Sequence, residues 1–350
     1  MENAHQMVKP YNPVQAVQYG QLVQIAYDMY DAGQGGLTPT PPTPFPGGYT
    51  FIAWVQVRDF IIEEGNWTFY GFIAQRTSKA NEFVLAIRGT GDDIEWWDDL
   101  TSMVLVPLTG FGQAGYGFNR IYQTLRVVKK TPSEALGADA HAQSVQPSGT
   151  FAEQVAAVVR EHAATAPRSG ELQAEAPSAA MSIEVTGHSL GSALATLYVA
   201  ENANAGLVTT PLICTFASPR VGDPTFATQF GRLGITSWRI VNEPDLVPKL
   251  PFLGFQHVEV EHAYNSGGSV DWSLACWHSL STYLHLLDPK QPLSPECVWP
   301  PRMKAATASL RRLPTQAGVA ATSSGQAGKE IAVSVPAGEG NTINIKISVG

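Results

Sequence analysis

The sequence has few charged residues and no long apolar run, and each shortage excludes a class of protein. Only 15% of its residues are charged, and 22 Lys and Arg stand against 30 Asp and Glu without a basic cluster, so we expect no nucleic-acid partner. No uninterrupted apolar stretch of about 18 residues occurs, which argues against a transmembrane segment. The start, MENAHQMVKPYNP, lacks a basic segment followed by an apolar run, so no classical export signal is visible. A cytoplasmic location is the default expectation, with secretion by another route or a trimmed mature form as the alternative.

Cysteine is scarce as well. Cys214, Cys276 and Cys297 match no metal-binding or redox spacing, and an odd number argues against a disulfide framework. Cys214 lies in the apolar run LICTFA and is expected to be buried. A disulfide bond between Cys276 and Cys297 is an alternative if the protein resides in an oxidising compartment. His257, Glu259 and Glu261 of HVEVEH share one face of a predicted strand, and they fit a solvated strand face better than a metal site. The sequence therefore predicts no metal and no cofactor.

The periodicity of the apolar residues predicts an α/β domain over residues 1–300. Predicted helices cover 13–32, 116–128, 151–166 and 223–233, and predicted strands cover 49–57, 67–75, 82–88, 211–217 and 236–241, with a further strand and helix from residue 181. Strands precede the first alternation of strand and helix, which indicates antiparallel strands at one edge of a mostly parallel sheet with helices on both faces. Residues 301–350 form an extension with a flexible linker, and its segments IAVSV and INIKISV predict a β-hairpin that adds to a sheet edge or joins a partner chain in an oligomer.

The stretch SIEVTGHSLGSALATLYVAEN, residues 182–202, places a serine between two glycines where a strand meets a helix. Ile183 and Val185 alternate with polar neighbours, as in a buried strand. Residues 194–202 include no helix breaker, and the next glycine is Gly206. A serine on so sharp a turn takes up a strained backbone, and only glycine leaves room on either side. The context predicts a nucleophile elbow with Ser189 at its tip rather than an ordinary loop.

A serine nucleophile needs a base and a group that orients the base, because its hydroxyl is nearly inert at neutral pH. In α/β-hydrolases the acid and then the histidine follow the serine along the chain. Asp245 follows a strand in RIVNEPDLVPKLP, and His278 starts a helix in CWHSLSTYLHLL. His285, two helical turns later, is the competing base. We prefer His278 because the start of a helix adjoins a loop, whereas His285 lies among leucines.

Six segments carry a family resemblance. VLAIRGT with WWDDL, GYGFNRIY, IEVTGHSLGSALATL, TFASPRVGDPTFA, RIVNEPDLVPKLP and HSLSTYL follow one another between residues 84 and 284. The sequence thereby resembles the class 3 lipases, the family of filamentous-fungal triacylglycerol lipases and of many bacterial and plant esterases. The resemblance implies an α/β-hydrolase catalytic domain with Ser189 as nucleophile, Asp245 as orienting acid and His278 as base. Ser192 departs from the pattern, since the family often has another glycine there.

The resemblance also implies an oxyanion hole and a lid. The hole would use the backbone N–H groups of Thr90 and Leu190, because two such donors stabilise the negative charge of the tetrahedral intermediate. The lid would be a short helix within residues 91–108 that covers the site and contacts a lipid interface when it opens. Its predicted apolar, substrate-binding cover is Ile94, Trp96, Trp97 and Leu100. A helix packed permanently on the domain is the alternative.

The leading hypothesis is a serine carboxylic-ester hydrolase, a lipase that hydrolyses acylglycerols through an acyl-enzyme. The apolar cover favours an aggregated substrate. The alternatives are a carboxylesterase for soluble short-chain or aromatic (feruloyl-type) esters and a phospholipase A1. A peptidase uses the same triad, but the resemblance argues against it. A non-catalytic binding protein of the same fold is disfavoured because all three triad positions are filled.

Overall fold

The structure is a computed structural model that describes residues 8–59, 66–90, 103–130, 148–165, 181–258, 260–299, 330–337 and 341–348. The chain divides into two units, Met1–Arg302 and Met303–Gly350. Each unit is described separately.

The first unit alternates helices and strands along the chain. Its helices are α1 (Pro13–Ala32), α2 (Tyr116–Tyr122), α3 (Phe151–Thr165), α4 (Leu190–Ala205), α5 (Pro224–Gly231), α6 (Leu274–His278) and α7 (Leu280–Leu287), with 3-10 turns at Val247–Lys249 and Pro295–Cys297. Its strands are β1 (Tyr49–Asp59), β2 (Asn66–Arg76), β3 (Glu82–Ile87), β4 (Leu105–Leu108), β5 (Gly112–Gly115), β6 (Arg126–Lys129), β7 (Ser182–His188), β8 (Leu212–Phe216), β9 (Thr236–Asn242) and β10 (Glu261–Tyr264).

Eight of these strands form one sheet in the order β10-β9-β8-β7-β3-β2-β1-β6. Neighbouring strands from β3 to β10 run parallel, with Leu85 opposite Val185 and Val185 opposite Ile213. β2, β1 and β6 continue the sheet with antiparallel pairing. The predicted fold class, a mostly parallel sheet with antiparallel strands at one edge, is confirmed. The carboxyl ends of parallel strands share one edge, which is where such folds gather their functional loops.

Helices cover both faces of the sheet. Successive strand residues point to opposite faces, so each strand contributes side chains to two hydrophobic cores. On β3, Leu85 and Ile87 join a core that includes Val155 of α3 and Leu194 of α4. The intervening Val84 and Ala86 join a second core with apolar residues of α1 and α7. α4 is apolar around most of its surface and is almost completely buried, so it anchors the residue that precedes it.

The predicted helix at 116–128 is wrong in its second half. α2 ends at Tyr122, and Arg126–Lys129 forms β6, which pairs with β1 from Gln56 to Ala53. The backbone N–H of Val127 is bound by the Gln154 side chain of α3 at 2.9 Å. Contacts with residues far away in sequence thus determine the secondary structure of this segment, and the helical spacing of its apolar residues could not reveal those contacts.

Two further features bear on the sequence predictions. Cys276 and Cys297 form a disulfide bond, and Cys214 is a buried free cysteine. Among the residues that the structure describes, no helix has the length and apolarity that a membrane span requires, and no group of three or more His, Cys, Asp or Glu is arranged to hold a metal ion.

The second unit contains the hairpin of β11 (Glu330–Ala337) and β12 (Asn341–Ser348). Its antiparallel register places Val333 opposite Ile345 and Ser334 opposite Asn344. Apolar and polar pairs therefore alternate along the hairpin, as the sequence pattern predicts.

Candidate active site

The candidate nucleophile lies on a strained turn between β7 and α4. The backbone of Ser189 has a φ of 56° and a ψ of −128°, a conformation that residues other than glycine rarely adopt. Its N–H donates to the carbonyl of Phe216 at the end of the neighbouring strand β8, at 2.9 Å. The turn therefore raises the serine above the carboxyl edge of the sheet, as a nucleophile elbow does.

The glycines on either side of Ser189 are required by close backbone approaches. A Cβ on Gly187 would lie 2.5 Å from the carbonyl oxygen of Gly191, and a Cβ on Gly191 would lie 2.3 Å from that of Arg88. Those neighbours are backbone atoms, which cannot rotate away as the end of a side chain can. The elbow thus depends on two positions without side chains.

We expect Gly191→Ala to lower the free energy of unfolding by about 3 kcal/mol or more, because the added methyl group collides with β3 backbone. The matched control is Gly206→Ala at the end of α4, where φ is 63° but nothing lies within 4 Å of an added Cβ. Only the strain of a positive φ applies there, about 1 kcal/mol. Urea unfolding of both variants measures the difference. Equal midpoints for the two would contradict this elbow geometry.

The structure brings Ser189, Asp245 and His278 into one chain of hydrogen bonds. His278 Nε2 lies 2.8 Å from Ser189 Oγ, and His278 Nδ1 lies 2.8 Å from Asp245 Oδ2. A carboxylate accepts hydrogen bonds, so Nδ1 carries the proton and Nε2 accepts from the serine hydroxyl. In this tautomer the imidazole can take the serine proton. Their catalytic roles remain a prediction.

Asp245 is 1% exposed and receives two donors besides the imidazole. The Val247 N–H donates to Oδ1 at 2.9 Å, and the Tyr283 hydroxyl donates to Oδ2 at 2.7 Å. Burial, and then the neighbouring charge of Asp245, raise the pKa of Tyr283 well above its ordinary value, so this hydroxyl stays protonated and acts as a donor. The carboxylate is therefore fixed from both oxygens.

A second histidine, His188, links three parts of the site. Its Nε2 lies 2.9 Å from the carbonyl oxygen of His278, which only accepts, so Nε2 carries the proton. Its Nδ1 then accepts from the Tyr27 hydroxyl of α1 at 2.8 Å. Complete burial, and next the nearby His278, lower the pKa of His188 well below its ordinary value, which keeps the ring neutral. His188 thus holds the backbone of the candidate base.

The two predicted oxyanion donors, Thr90 and Leu190, belong to two segments that meet at the serine. Thr90 follows β3, and Gly89 before it approaches so closely that an added Cβ would lie 2.9 Å from the Cβ of Ser189. Leu190 is the first residue of α4, and the first N–H groups of a helix have no acceptor within the helix. Thr90 thus follows a residue that lies against the serine, and Leu190 follows the serine itself. Their role as oxyanion donors remains a prediction.

Other predicted positions have different outcomes. The competing base His285 donates from Nδ1 to the carbonyl of Gln291 at 2.8 Å and is not bonded to Ser189. The predicted lid residues Ile94, Trp96, Trp97 and Leu100 lie outside the described residues. The end of the same segment is described, and there Leu105–Leu108 is the strand β4, paired with β5, not a helix.

Sequence reasoning missed Tyr283, Tyr27 and His188. Tyr283 lies five residues after His278 in HSLSTYL, and a buried acid that needs donors is the only signal that could have pointed to it. Tyr27 belongs to the apolar stripe of α1 and has no distinguishing pattern. His188 stands inside the serine motif, whose pattern specifies only the serine and its two glycines.

Comparison of the sequence with known proteins identifies a family. The sequence pattern of the family described as Lipase (class 3) matches residues 84–255, which include Ser189 and Asp245. The chain belongs to the class 3 lipase family. It is 30% identical over 267 residues to Phospholipase A1-II 4 of Oryza sativa subsp. japonica, and the match covers 73% of this chain and 59% of that protein. Phospholipase A1-II 1 of Oryza sativa subsp. indica is 29% identical over 244 residues, with 64% and 55% covered. The chain thus spans less than two thirds of the length of those curated relatives.

Solved lipase structures are more distant in sequence. The Rhizomucor miehei lipase propeptide complex is 20% identical to this chain, with 75% of each chain covered and a TM-score of 0.47. The lipase of Rhizopus microsporus var. chinensis is 18% identical, with 75% and 84% covered and a TM-score of 0.49.

Proposed function

We propose that this class 3 lipase hydrolyses carboxylic esters of lipids through a covalent acyl-enzyme. The observation that carries the proposal is the hydrogen-bonded series Ser189, His278 and Asp245 on a strained turn. Family membership supports an ester substrate, since the same triad chemistry also serves amide hydrolysis elsewhere. No step requires a metal or an organic cofactor.

In the proposed reaction, Ser189 Oγ attacks the ester carbonyl while His278 Nε2 accepts the hydroxyl proton. Negative charge develops on the former carbonyl oxygen, where the N–H groups of Thr90 and Leu190 stabilise it. The C–O bond to the alcohol then breaks, and His278 returns the proton to the departing oxygen. Water repeats the sequence on the acyl-enzyme and releases the fatty acid.

An aggregated lipid is the proposed physical form of the substrate. Phe252 and Leu253 are seven and eight residues after Asp245 in the sequence and are 63% and 90% exposed. Gly254, with a φ of 78°, adjoins Leu105 of β4, so this tip lies beside the end of the predicted lid segment. Two large apolar side chains held in water beside a catalytic loop favour contact with a lipid surface over a freely dissolved ester. Acylglycerols are the first candidate class.

Phospholipids are the second candidate class, because two rice relatives carry the name phospholipase A1. In that case the bond cleaved is the sn-1 acyl ester of a glycerophospholipid. The Ser189 chemistry is the same for both classes. Only the alcohol side of the ester differs.

The cellular location is proposed from the disulfide. A bond between Cys276 and Cys297 is stable in oxidising compartments and rare in the cytosol. We therefore favour an extracytoplasmic protein over the cytoplasmic default.

The function is tested by hydrolysis of a short-chain triacylglycerol below and above its solubility limit, of phosphatidylcholine vesicles, and of soluble p-nitrophenyl butyrate. We expect the triacylglycerol rate to rise on aggregation. A flat profile would replace the lipase by a soluble-ester carboxylesterase, and faster sn-1 release from phosphatidylcholine would identify a phospholipase A1. Absence of turnover on every ester would refute the proposal.

Leu253→Ser should lower the rate on aggregated triacylglycerol about 10-fold, because one leucine no longer leaves water at the interface. The rate on p-nitrophenyl butyrate should stay within about 2-fold, since the variant leaves the triad untouched. Val14→Ser is the matched control, because Val14 on α1 is 68% exposed but lies outside this loop. An equal loss for both variants, or a loss on both substrates, would contradict an interfacial role for the tip.

A further inference from the structure

Gly89 occupies a position where only glycine fits. An added Cβ would lie 2.7 Å from the Tyr27 hydroxyl, 2.9 Å from the carbonyl oxygen of His188 and 2.9 Å from Ser189 Cβ. The same residue directly precedes Thr90, the proposed oxyanion donor. Glycine has the greatest backbone freedom of any residue, so by itself it would leave the direction of the next N–H poorly fixed.

Two side chains remove that freedom. The N–H of Gly89 donates to the Tyr27 hydroxyl at 2.8 Å, and the carbonyl of Gly89 accepts from Arg88 Nη1 at 2.7 Å. These groups belong to the two peptide planes on either side of the Gly89 Cα. Since each plane is rigid, holding both of them sets φ and ψ of Gly89.

The second plane is the one that matters for the proposed chemistry. The carbonyl of Gly89 and the N–H of Thr90 are part of the same trans peptide and point in opposite directions. When Arg88 holds the carbonyl, it also sets the direction of the Thr90 N–H. Arg88 therefore acts on the oxyanion hole through one rigid peptide.

Arg88 is itself held in an unusual environment. Its side chain is among the largest that are fully buried, and its guanidinium carbon lies 3.5 Å from the Tyr30 ring centre and 4.6 Å from that of Tyr70. Nε donates to the carbonyl of Phe69 at 2.9 Å. Within the described part of the chain it forms no ion pair with a carboxylate. Burying a charged side chain costs free energy unless it is compensated by other interactions. Here the guanidinium donates to the carbonyls of Phe69 and Gly89, on two neighbouring segments, and lies over two aromatic rings.

We propose that Arg88 and Tyr27 are positioning residues that clamp Gly89 from two sides and so aim the Thr90 N–H at the developing oxyanion. The inference rests on the proposed ester hydrolysis. Tyr27 extends the clamp to the base, since its hydroxyl donates to His188, whose Nε2 holds the carbonyl of His278. One hydrogen-bonded series thus connects the oxyanion loop with the backbone of the base.

The test is Arg88→Lys, which keeps the charge but cannot donate to both carbonyls from a planar fork. With p-nitrophenyl butyrate we expect kcat to fall about 10- to 100-fold, the size expected for a displacement of about 1 Å, with KM within about 3-fold. The affinity for a trifluoromethyl ketone, which forms a tetrahedral oxyanion on the serine, should fall by the same factor as kcat. A purely structural role would lower the melting temperature without moving this affinity.

Arg126→Lys is the matched control. Arg126 is 8% exposed, lies 3.6 Å from the Trp67 ring centre and donates from Nε to Gln56, at the far edge of the sheet. It should lose stability but keep kcat and the ketone affinity. If Arg88→Lys does not fold, Tyr27→Phe removes only the hydroxyl that holds the Gly89 N–H, and the same paired loss of kcat and ketone affinity is expected.

Folded variants at Arg88 or Tyr27 with unchanged kcat and ketone affinity would overturn the clamp. This failure is distinct from failure of the proposed function. In the first case the unaltered protein hydrolyses esters and Ser189→Ala does not, whereas in the second the unaltered protein itself shows no turnover.

Discussion

Ser189→Ala is expected to lower kcat on any ester substrate by about 10⁴-fold or more, with little change in the free energy of unfolding. In the proposed reaction Ser189 Oγ is the only protein atom that forms a covalent bond to the substrate, and the proposed oxyanion donors and base cannot replace it. The side chain is 2% exposed and its hydroxyl is bonded to His278, so its removal leaves a small gap and no buried charge without a partner. Initial rates and urea unfolding of the same preparation measure both effects.

Ser192→Ala is the matched control for that result. Ser192 is three residues later and completely buried, but its hydroxyl lies 2.7 Å and 2.9 Å from the carbonyl oxygens of Gly187 and Phe216. It should therefore lose about 1 kcal/mol of stability and keep its activity. A fluorophosphonate should label the unaltered protein and the Ser192 variant but not Ser189→Ala. Substantial turnover by Ser189→Ala would refute the nucleophile assignment.

Much of the fold was predictable because local and global preferences agree there. On β3, the side chains of Phe83, Leu85 and Ile87 pack into one hydrophobic core, and those of the residues between them pack into the other. The helix predicted at 13–32 matches α1, Pro13–Ala32, because Asn12 caps it through its side chain and Pro13 starts it. In these segments each residue type favours the same element that tertiary packing requires.

The incorrect and missed predictions concern residues whose structure depends on tertiary contacts. Arg126–Lys129 forms an edge strand because β1 offers it a partner, although the preceding residues have helical spacing. The clamp on Gly89 joins α1, β3 and the serine turn, which are far apart in sequence. Tyr27 and Arg88 look like ordinary members of a helix and a strand, and only the fold shows that both reach the same glycine. Chain order predicted that Ser189, Asp245 and His278 lie together, which their hydrogen bonds show, but it could not predict the residues that hold them.

Asp245→Asn is expected to lower kcat about 10⁴-fold, nearly as much as loss of the nucleophile. The carboxylate receives three donors, from Val247, Tyr283 and His278. An asparagine has one acceptor oxygen, so its NH₂ group must face at least one of them. If it faces His278, Nδ1 becomes the acceptor and Nε2 carries the proton. The imidazole then donates to Ser189 and cannot remove its proton.

Tyr283→Phe separates this tautomer effect from a general loosening of the site. It removes one donor to Asp245 Oδ2 but leaves the Val247 N–H and the His278 Nδ1–H, so the tautomer is preserved. We expect a loss of kcat of no more than about 10-fold, with about 1 kcal/mol less stability because the carboxylate loses one hydrogen bond. Rates on p-nitrophenyl butyrate and fluorophosphonate labelling of Ser189 should both follow the order unaltered, Tyr283→Phe, Asp245→Asn. If Asp245→Asn instead reacted as fast as Tyr283→Phe, the acid would act only by packing, and the histidine would have to be oriented by its backbone contact with His188.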